Sequence, residues 1–405
     1  MESSVELTQI LRNRTIITHF QPIFSVTKHQ VVGLEALSRG YCAQTGNLIA
    51  PLSLFEQATD KETRLQLDRL CRERAIQTFA TVAPSAPPLL FINLDAIVID
   101  GGVVGSNKLL YEIQKHKLSP ASVAIEITES PSLDVHALTT FINLYRSYGF
   151  LIALDDVGTS CSNLDRILQL RPDIIKIDRA LLQQIYEDTY KQALFSALTN
   201  CAKQIGALVV AEGVEKEEEA VTALRLGADF LQGYYLQRPV AAEALPFNNY
   251  YPLLQQLSLT LRLEKQEKLI EEKQNAEQAD SLITHIVEAL QEVSFMSLSK
   301  FLPSLLRLSP AIQCLYVLDD SGRQLTDTFV ASTAIRPPNA LFTADSIGAD
   351  QSLKDYYLHI QTGFSRYRSH PYRSLANGLP CVTCAAVFHP AKSERPLILC
   401  LDLNP

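Results

Sequence analysis

Polar side chains stand at the ends of short apolar runs along the first 240 residues. The runs end with seven such residues, namely Glu35, Asn93, Glu126, Asp155, Lys176, Glu212 and Gln232, with Asp156 directly after Asp155. Carboxylates that meet at one place repel one another unless cations neutralise them. Carboxylate and amide oxygens are ligands of Mg²⁺ and Mn²⁺. Any one of these residues could be an ordinary strand end or helix cap, but the whole series predicts a metal site.

The elements that must bring these residues together are eight apolar runs separated by longer amphipathic segments. The runs are 16–20, 31–34, 89–92, 123–125, 151–154, 174–175, 207–211 and 230–231. Helical spacing of apolar residues occurs between them, as at 138–145, 192–198 and 217–226. This alternation indicates a mainly parallel, buried sheet, and eight units match a (β/α)8 barrel, whose active sites lie where the carboxyl ends of the strands meet.

The segment 253–293 has a different character, since it contains no Pro or Gly and is rich in Leu, Glu, Gln and Lys. It predicts a long helix of about 1.5 Å per residue. Two apolar stripes run along it and are out of register with each other. They consist of Leu254, Leu257 and Leu261, and of Ala276, Ala279, Ile283, Ile286, Leu290 and Val293. A helix lying on the barrel and an intermolecular coiled coil explain the stripes equally well.

Beyond residue 300, strand-like segments return at 312–318, 380–388 and 396–401, which predicts a second domain of about 110 residues. The chain has eight cysteines, and Cys381 and Cys384 form a C-x-x-C pair inside one of these strands. Residues three apart on a strand face opposite sides. We therefore interpret the cysteines as buried thiols rather than as a metal or redox site.

Composition narrows the class of protein. The chain has 405 residues, 47% hydrophobic and 20% charged, with a net charge of −8, which excludes a disordered chain and disfavours binding to nucleic acid. Its longest apolar runs are too short to span a bilayer. The first residues lack the features of a signal peptide. We therefore expect a cytoplasmic protein with no membrane segment and no nucleic-acid partner.

The first of the polar strand ends stands in Glu35-Ala36-Leu37-Ser38-Arg39, which Phe20-Gln21-Pro22-Ile23 precedes. These two segments resemble the signature and the opening motif of the EAL-domain family of cyclic-di-GMP phosphodiesterases. Further matches are Asn93, Glu126-Ile-Thr-Glu129, Ala153-Leu-Asp-Asp156, Pro172-Asp-Ile-Ile-Lys-Ile-Asp178, Ala211-Glu-Gly-Val-Glu215 and Gln232-Gly-Tyr-Tyr235, followed by Arg238-Pro239. They occur in the family's order and spacing from residue 5 to residue 245.

The resemblance implies a role for each matching residue. Two divalent cations, Mg²⁺ or Mn²⁺, would be held by Glu35, Asn93, Glu126, Asp155, Asp156 and Glu212. The catalytic set would be Glu35, Lys176, Glu212 and Glu129, with Lys176 beside the attacking water and Glu129 anchoring the loop after Asp156. Substrate contacts would come from Gln21, Leu37, Arg39, Asp178, Gln232 and Pro239. The implied reaction converts cyclic-di-GMP to linear pGpG, and Ca²⁺ would bind without supporting turnover well, because it prefers longer bonds and more ligands than Mg²⁺.

The loop after Asp156 departs from the family pattern at Val157, Ser160 and Cys161. Ser at a position usually held by Gly reaches positive φ only at a cost. We therefore expect hydrolysis to be slow and unusually dependent on metal concentration. The competing interpretation is a catalytically weak or inactive cyclic-di-GMP receptor that signals through its C-terminal domain. A (β/α)8 hydrolase of another phosphodiester is a third.

The C-terminal segment contains Asp355-Tyr356-Tyr357, Tyr367-Arg368, Tyr372-Arg373 and Thr383, and Leu401-Asp402-Leu403 near its end. With these residues it resembles the PAS-like sensor class called PDC or Cache. The resemblance implies a pocket formed by Tyr356, Arg368, Tyr372, Arg373 and Asp402 for a small ligand or a protein partner. A structural or dimerising module explains the same residues equally well.

The expected fold class is therefore α/β, a TIM-like (β/α)8 barrel of EAL type joined by a long helix to an α+β PAS-like domain. The expected boundaries are 1–248 for the barrel, 249–295 for the helical connector and 296–405 for the PAS-like domain. We also expect a homodimer, because closed two-fold pairing is the commonest assembly and the connector's stripes could pair.

Overall fold

The computed structural model describes most of the chain. The described residues are 2–42, 46–82, 87–94, 107–127, 135–159, 163–245, 250–334, 341–391, 393 and 395–405. The chain divides into two compact units, Met1–Lys265 and Gln266–Pro405. None of the described helices combines the length and the hydrophobicity that a membrane span requires.

The first unit contains a closed barrel of eight strands. In chain order the unit's strands are β1 (Ile16–Ser25), β2 (Gln30–Tyr41), β3 (Leu48–Ile49), β4 (Leu89–Leu94), β5 (Val123–Ile127), β6 (Leu151–Val157), β7 (Ile174–Ile177), β8 (Leu208–Ala211), β9 (Phe230–Leu231) and β10 (Val240–Ala241). The barrel runs β1-β9-β8-β7-β6-β5-β4-β2 and closes by pairing β2 with β1, while β3 and β10 add to its margin. All eight predicted strands are present.

The first connection of the barrel is a hairpin rather than a βα unit. β1 pairs in an antiparallel sense with both β2 and β9, and the remaining neighbours are parallel. Only residues 26–29 separate β1 from β2, too few for a helical crossover. The prediction of a mainly parallel sheet is therefore confirmed, with β1 as the exception. Because β1 runs in the opposite direction to its neighbours, it contributes residues of its amino-terminal half to the site.

Helices cover the outside of the barrel. They are α1 (Glu2–Asn13), α2 (Pro51–Gln57), α3 (Lys61–Val82), α4 (Lys108–Lys115), α5 (Val135–Ser147), α6 (Asn163–Leu170), α7 (Arg179–Leu182), α8 (Thr189–Ile205) and α9 (Glu217–Arg225). The outward faces of the strands pack against them, as when Phe20 of β1 meets Phe79 of α3 with ring centroids 6.2 Å apart. Because side chains alternate along a strand, the neighbours of these outward residues point into the barrel.

One helix, α10 (Tyr251–Gln291), extends from the first unit into the second. Leu254 and Leu257 are fully buried in the hydrophobic cluster of the first unit. Ile283, Ile286 and Leu290 are buried in a cluster of the second unit. The two stripes are out of register because they serve different cores, so neither is the exposed seam of a coiled coil.

The second unit is built on an antiparallel sheet. Its strands are β11 (Ile312–Leu318), β12 (Phe329–Val330), β13 (Arg366–Arg368), β14 (Tyr372–Arg373), β15 (Pro380–Phe388) and β16 (Leu397–Leu403), and its further helices are α11 (Leu298–Leu305) and α12 (Asp355–Gln361). The strand order is β12-β11-β16-β15-β13, with β14 beside β15. One face packs on α10 and α11, and the other packs on α12.

Candidate active site

A layer of polar side chains lies above an apolar floor inside the barrel. The floor is formed by six buried residues, Ile23, Phe91, Ala124, Ala153, Ile174 and Val210. Each stands two positions from a polar residue that lies on the same strand or, for Glu212, directly after it. The corresponding polar residues are Gln21, Asn93, Glu126, Asp155, Lys176 and Glu212. Residues two apart on a strand share a face. The polar residues therefore point into the barrel, as the apolar residues of the floor do.

Lys176 lies at the centre of four carboxylates. Its Nζ is 3.4 Å from Glu35 Oε2, 3.4 Å from Asp155 Oδ1 and 2.5 Å from Glu212 Oε1, and it also contacts Glu126 Oε1. The side chains of Lys176 and Glu126 are 1% and 0% exposed. One buried ammonium therefore faces four acidic groups contributed by four different strands, which leaves a formal charge of −3 if all are ionised.

The excess negative charge perturbs the titration of the group. Burial, followed by repulsion from Glu35, raises the pKa of Glu126 well above its usual value. Burial likewise raises the pKa of Glu212 although Lys176 opposes the shift. Burial disfavours the charged form of Lys176, but the surrounding carboxylates outweigh it and hold the pKa of Lys176 well above its usual value. Such crowding of like charge is typical of sites that bind cations.

Asp156 and Gly158 shape the end of β6. Asp156 is a non-glycine residue at φ +57°, a conformation that costs free energy, and its carbonyl oxygen accepts from the Thr159 hydroxyl at 2.9 Å. Gly158 follows at φ +111°, where a side chain would be strained. This turn places oxygens of Asp155, Asp156 and Glu212 within 4.8 Å of one another. Burial, followed by Asp155 and Asp178, raises the pKa of Asp156 to about 6.

Amide side chains complete the layer beside β1 and β2. Gln232 Nε2 donates to Glu35 Oε2 at 2.5 Å and to Gln21 Oε1 at 3.3 Å. Asn93 Nδ2 donates to Glu35 Oε1 at 3.2 Å, and Gln21 Nε2 donates to the carbonyl oxygen of Gln237 at 3.2 Å. These bonds fix both oxygens of Glu35 in the mouth of the barrel.

Gly233 permits the position of Gln232. A side-chain carbon at Gly233 would lie 2.1 Å from the carbonyl oxygen of Val214, so only glycine allows this approach. The Val214 amide then donates to the Gln232 carbonyl at 3.1 Å, and the Gln232 amide donates to Ala211 at 2.9 Å. Packing therefore explains Gly233, and the hydrogen bond to Glu35 explains Gln232.

A family model described as "EAL domain" matches residues 4–239. The chain belongs to the EAL-domain family. It is similar to the uncharacterized EAL-domain containing protein YkuI of Bacillus subtilis (strain 168), with 29% identity over 319 residues, 77% of this chain and 76% of that protein. A crystal structure of Bacillus subtilis YkuI in complex with substrate c-di-GMP and calcium matches with a TM-score of 0.81 and 25% identity, covering 98% of this chain and 99% of that one.

Two further EAL proteins add information on ligands. The chain is 31% identical over 249 residues to MucR of Pseudomonas aeruginosa, a bifunctional diguanylate cyclase/cyclic di-GMP phosphodiesterase, which is 59% of this chain and 35% of MucR. A structure of the MucR phosphodiesterase with c-di-GMP matches with a TM-score of 0.55 and 28% identity over 60% of this chain and 99% of that one. The manganese and c-di-GMP complex of Klebsiella pneumoniae BlrP1 matches with a TM-score of 0.51 and 28% identity, covering 56% of this chain and 57% of that one.

The acidic layer of the EAL domain fits divalent cations. Among the described residues, Glu126 Oε2 and Gln232 Oε1 are buried acceptors without a hydrogen-bond donor. Buried acceptors of this kind are costly unless a ligand or ion satisfies them. Together with the close oxygens of Asp155, Asp156 and Glu212, they form an oxygen-rich set of the type that hard cations prefer.

The remaining expected substrate residues surround the mouth of the EAL domain. Leu37 and Arg39 extend from β2 beyond Glu35, and Pro239 precedes β10. Asp178 caps the first turn of α7, since its Oδ1 accepts from the Ala180 amide at 2.7 Å. Glu129, Ser160 and Cys161 lie outside the described residues, and Val157 is fully buried at the end of β6.

A cavity of about 390 Å³ opens next to the polar layer. Its wall includes Leu37 and Asn93 together with apolar and aromatic residues of α2, such as Phe55. The ion pair of Arg72 with Asp68, 2.6 Å apart, lies in the same wall. Cavities of this size and mixed lining are typical of small-molecule sites.

The expected sensor residues of the second unit lie in several places. Asp402 accepts from Thr383 Oγ1 at 2.6 Å and from Ser374 Oγ at 3.1 Å, and the Tyr372 hydroxyl is 2.5 Å from Thr383 Oγ1. Tyr356 shares a hydrogen bond of 2.7 Å with Tyr316 on the same face of the sheet.

The two arginines lie apart from this group. Arg368 is exposed and pairs in register with Cys384, whose side chain belongs to the opposite face. Arg373 Nε donates to the carbonyl oxygen of Gly378 at 2.8 Å, and its guanidinium lies 4.8 Å from the Phe342 ring centroid. The structure therefore brings Tyr356, Tyr372 and Asp402 to one face and leaves the arginines apart.

Three residues at the mouth of the EAL domain were not among the expected site residues. His19 lies two residues before Gln21 on β1, on the same inward face of the strand. Tyr234 is 48% exposed, and the Arg238 guanidinium lies 4.3 Å from its ring centroid. The period-two alternation from Gln21 would have identified His19, whereas the pairing of Tyr234 with Arg238 has no signal in the sequence beyond their spacing.

Proposed function

We propose that this EAL protein hydrolyses cyclic-di-GMP to linear pGpG in a reaction that depends on divalent cations. The observation that carries this proposal is the set of four carboxylates around buried Lys176, in a chain of a family that includes c-di-GMP phosphodiesterases. A merely structural ion pair would match one ammonium with one or two carboxylates. The excess of acid supports a site that holds cations.

The six proposed ligands of the cations lie on, or directly after, five strands, because Asp155 and Asp156 are both in β6. They are Glu35, Asn93, Glu126, Asp155, Asp156 and Glu212. Bound Mg²⁺ or Mn²⁺ would supply an activated water and stabilise the negative charge that develops on the phosphate oxygens. Asp155 belongs to two overlapping groups of acidic side chains. It is one of the four carboxylates around Lys176, and its carboxylate also lies close to those of Asp156 and Glu212.

The substrate would be held by amides of this layer and by residues above it. Arg39 presents a planar guanidinium suited to a bidentate contact with a phosphate. Gln21 and Gln232 present amides beside Glu35, and Leu37 borders the cavity of about 390 Å³. That cavity has the size for one purine base, with Phe55 and Leu37 as apolar surface.

The chemical step transfers the phosphoryl group from the ribose 3′ oxygen to water. A water oxygen attacks phosphorus, and the bond from phosphorus to the ribose 3′ oxygen breaks. The proton that the water loses balances the proton that the leaving oxygen takes to become a hydroxyl. Lys176 holds its proton, because the surrounding carboxylates keep its pKa high. It therefore acts as a fixed positive charge and a hydrogen-bond donor to the attacking water rather than as a base.

The second unit is proposed to regulate the first. Its buried Asp402 and Thr383, with the exposed Tyr372 beside them, offer hydroxyl and carboxylate contacts to a small ligand. A receptor without turnover, signalling through this unit, remains the alternative that the altered residues Val157, Ser160 and Cys161 favour.

We also propose a homodimer. On α10, Leu259 and Leu263 are 46% and 50% exposed one helical turn apart, which is apolar surface that a second copy could cover. Sedimentation of the full chain should show a dimer at micromolar concentration. A monomer with and without cyclic-di-GMP would contradict this part of the proposal.

The test of the proposed function is product analysis with the full chain. Purified protein is incubated with cyclic-di-GMP and Mg²⁺, Mn²⁺, Ca²⁺ or EDTA, and the nucleotides are separated. We expect pGpG with Mg²⁺ and Mn²⁺, little with Ca²⁺ and none with EDTA. Binding of cyclic-di-GMP in Ca²⁺ without any product in Mn²⁺ would support the receptor instead.

A further inference from the structure

His19 faces the mouth of the barrel. Phe20 next to it packs outward on α3, and Gln21 bonds inward to Gln232, so alternation places His19 on the inner face. In the antiparallel register, His19 is opposite Leu37 of β2 and opposite Ala241 of β10. The imidazole is half-buried rather than enclosed.

Charged groups face His19 from two neighbouring elements. Arg39 of β2 pairs with Ile17, which lies two residues before His19 on β1. Glu243 lies in the 3-10 turn after β10. Burial, followed by the positive charge of Arg39, lowers the pKa of His19, and Glu243 opposes this shift. These surroundings therefore favour the neutral imidazole in the ligand-free protein.

We propose that His19 and Arg39 together bind a phosphate group of the nucleotide ligand at the mouth of the barrel. The inference rests on the proposed function, since it assigns a further contact to the same site. A guanidinium and an imidazole on adjacent strands, beyond the layer that holds cations, can both donate to one phosphate. This phosphate is not the one that the proposed cations would engage, because His19 stands beyond Gln21, away from Lys176.

Phosphate binding should change the protonation of His19. A nearby anion favours the charged imidazolium and offsets the effect of Arg39. Ligand binding should then take up a proton, and affinity should rise as the pH falls through the range in which His19 titrates. A single group of this kind changes affinity by at most about tenfold per pH unit.

The experiment is calorimetry of cyclic-di-GMP binding to the full chain in Ca²⁺, in Tris and in PIPES at the same pH. These buffers differ in protonation enthalpy, so the difference between the two heats gives the proton uptake. The variants are His19→Asn and His19→Gln, and the control is His29→Asn in the turn between β1 and β2. His29 adopts φ +52°, which Asn tolerates.

We expect the wild-type protein and His29→Asn to take up a fraction of a proton and to bind several-fold more tightly at pH 6.5 than at pH 8. Both His19 variants should lose the uptake and match the wild-type affinity only at pH 8. Unchanged uptake in either folded His19 variant would overturn the assignment while leaving the proposed function intact. Absence of any binding by the wild-type protein would overturn both.

Discussion

Buried carboxylates occur in both units of the molecule, but their partners differ. In the barrel, Glu126 faces Lys176 within a crowd of other acids, and its second oxygen has no donor among the described residues. In the second unit, Asp402 accepts from the neutral hydroxyls of Thr383 and Ser374. The first arrangement is left with excess charge that a cation can relieve, whereas the second is already satisfied by hydrogen bonds.

This difference explains why residue types indicate a specific chemistry for the barrel, whereas they indicate only a general ligand contact for the second unit. Excess charge at the ends of barrel strands has a physical consequence, cation binding, that follows from residue types alone. A hydrogen-bonded carboxylate such as Asp402 fits a ligand pocket and a structural core equally well. Experiments that separate the two carboxylate environments therefore test the account directly.

The largest expected effect is the loss of hydrolysis in Glu35→Ala. This change removes an anionic ligand and also frees Asn93 and Gln232, which donate to Glu35. Product formation in Mn²⁺ should fall to the level of the EDTA control. The matched control is Glu187→Ala, an exposed glutamate, which should retain wild-type activity; full activity in Glu35→Ala would refute the assignment.

Lys176→Met should lower turnover by about 10²–10³-fold, the range for loss of one preorganised hydrogen-bond donor. Removal of the ammonium also leaves buried acids unpaired, which costs about 3–5 kcal/mol. Denaturant unfolding in EDTA should show this loss, and Mn²⁺ should restore part of it. Substrate affinity should fall less than in Arg39→Ala; the reverse order would place Lys176 in substrate binding.

Metal addition should stabilise the barrel and not the second unit. Mn²⁺ at 100 times its dissociation constant adds about 2.7 kcal/mol to the free energy of unfolding. Hydrogen exchange should show increased protection in β5, β6 and β8, with no change in β15 and β16. Asp155→Asn should abolish most of the gain, and equal protection of both units would show that the cation site is not confined to the barrel.

The smallest effect concerns the pH dependence of Asp402. Burial raises the pKa of this carboxyl group, so the folded state binds its proton more tightly than the unfolded state, whose pKa is about 3.9. Its contribution to stability is therefore present at low pH and is lost as the pH rises through the folded value. The difference in stability between wild type and Asp402→Asn should shift in favour of the variant between pH 4 and pH 7; a pH-independent difference would argue that Asp402 ionises freely.

The eight strands and the polar layer could be predicted because both follow from the same regular spacing of apolar and polar residues along each strand. Ala153 on the floor and Asp155 above it are two positions apart, and the pattern repeats from strand to strand. The antiparallel direction of β1 could not be predicted from apolar runs, because a run has no direction; only the short 26–29 connection indicates it. The apolar stripes of α10 indicated that the helix packs against something, but they did not indicate what it packs against. Leu257 packs in the core of the first unit and Ile286 in that of the second.

Hydrogen-bond networks were the least predictable features. The bond from Gln232 to Glu35 joins residues 197 positions apart, and its geometry depends on barrel closure. The separation of Arg368 from Asp402 depends on which face of the sheet each residue occupies, and a register shift of one position would reverse it.

The central claim, that the acidic layer around Lys176 hydrolyses cyclic-di-GMP, is tested most directly by a single-turnover assay. Full-length protein in molar excess over cyclic-di-GMP is mixed with Mn²⁺, quenched over a time course and assayed for pGpG, with Glu35→Ala beside it. Under these conditions a slow enzyme still converts all of its bound ligand. We expect complete conversion by the wild-type protein and none by the variant; bound, unhydrolysed cyclic-di-GMP in the wild-type protein would contradict the proposed hydrolysis.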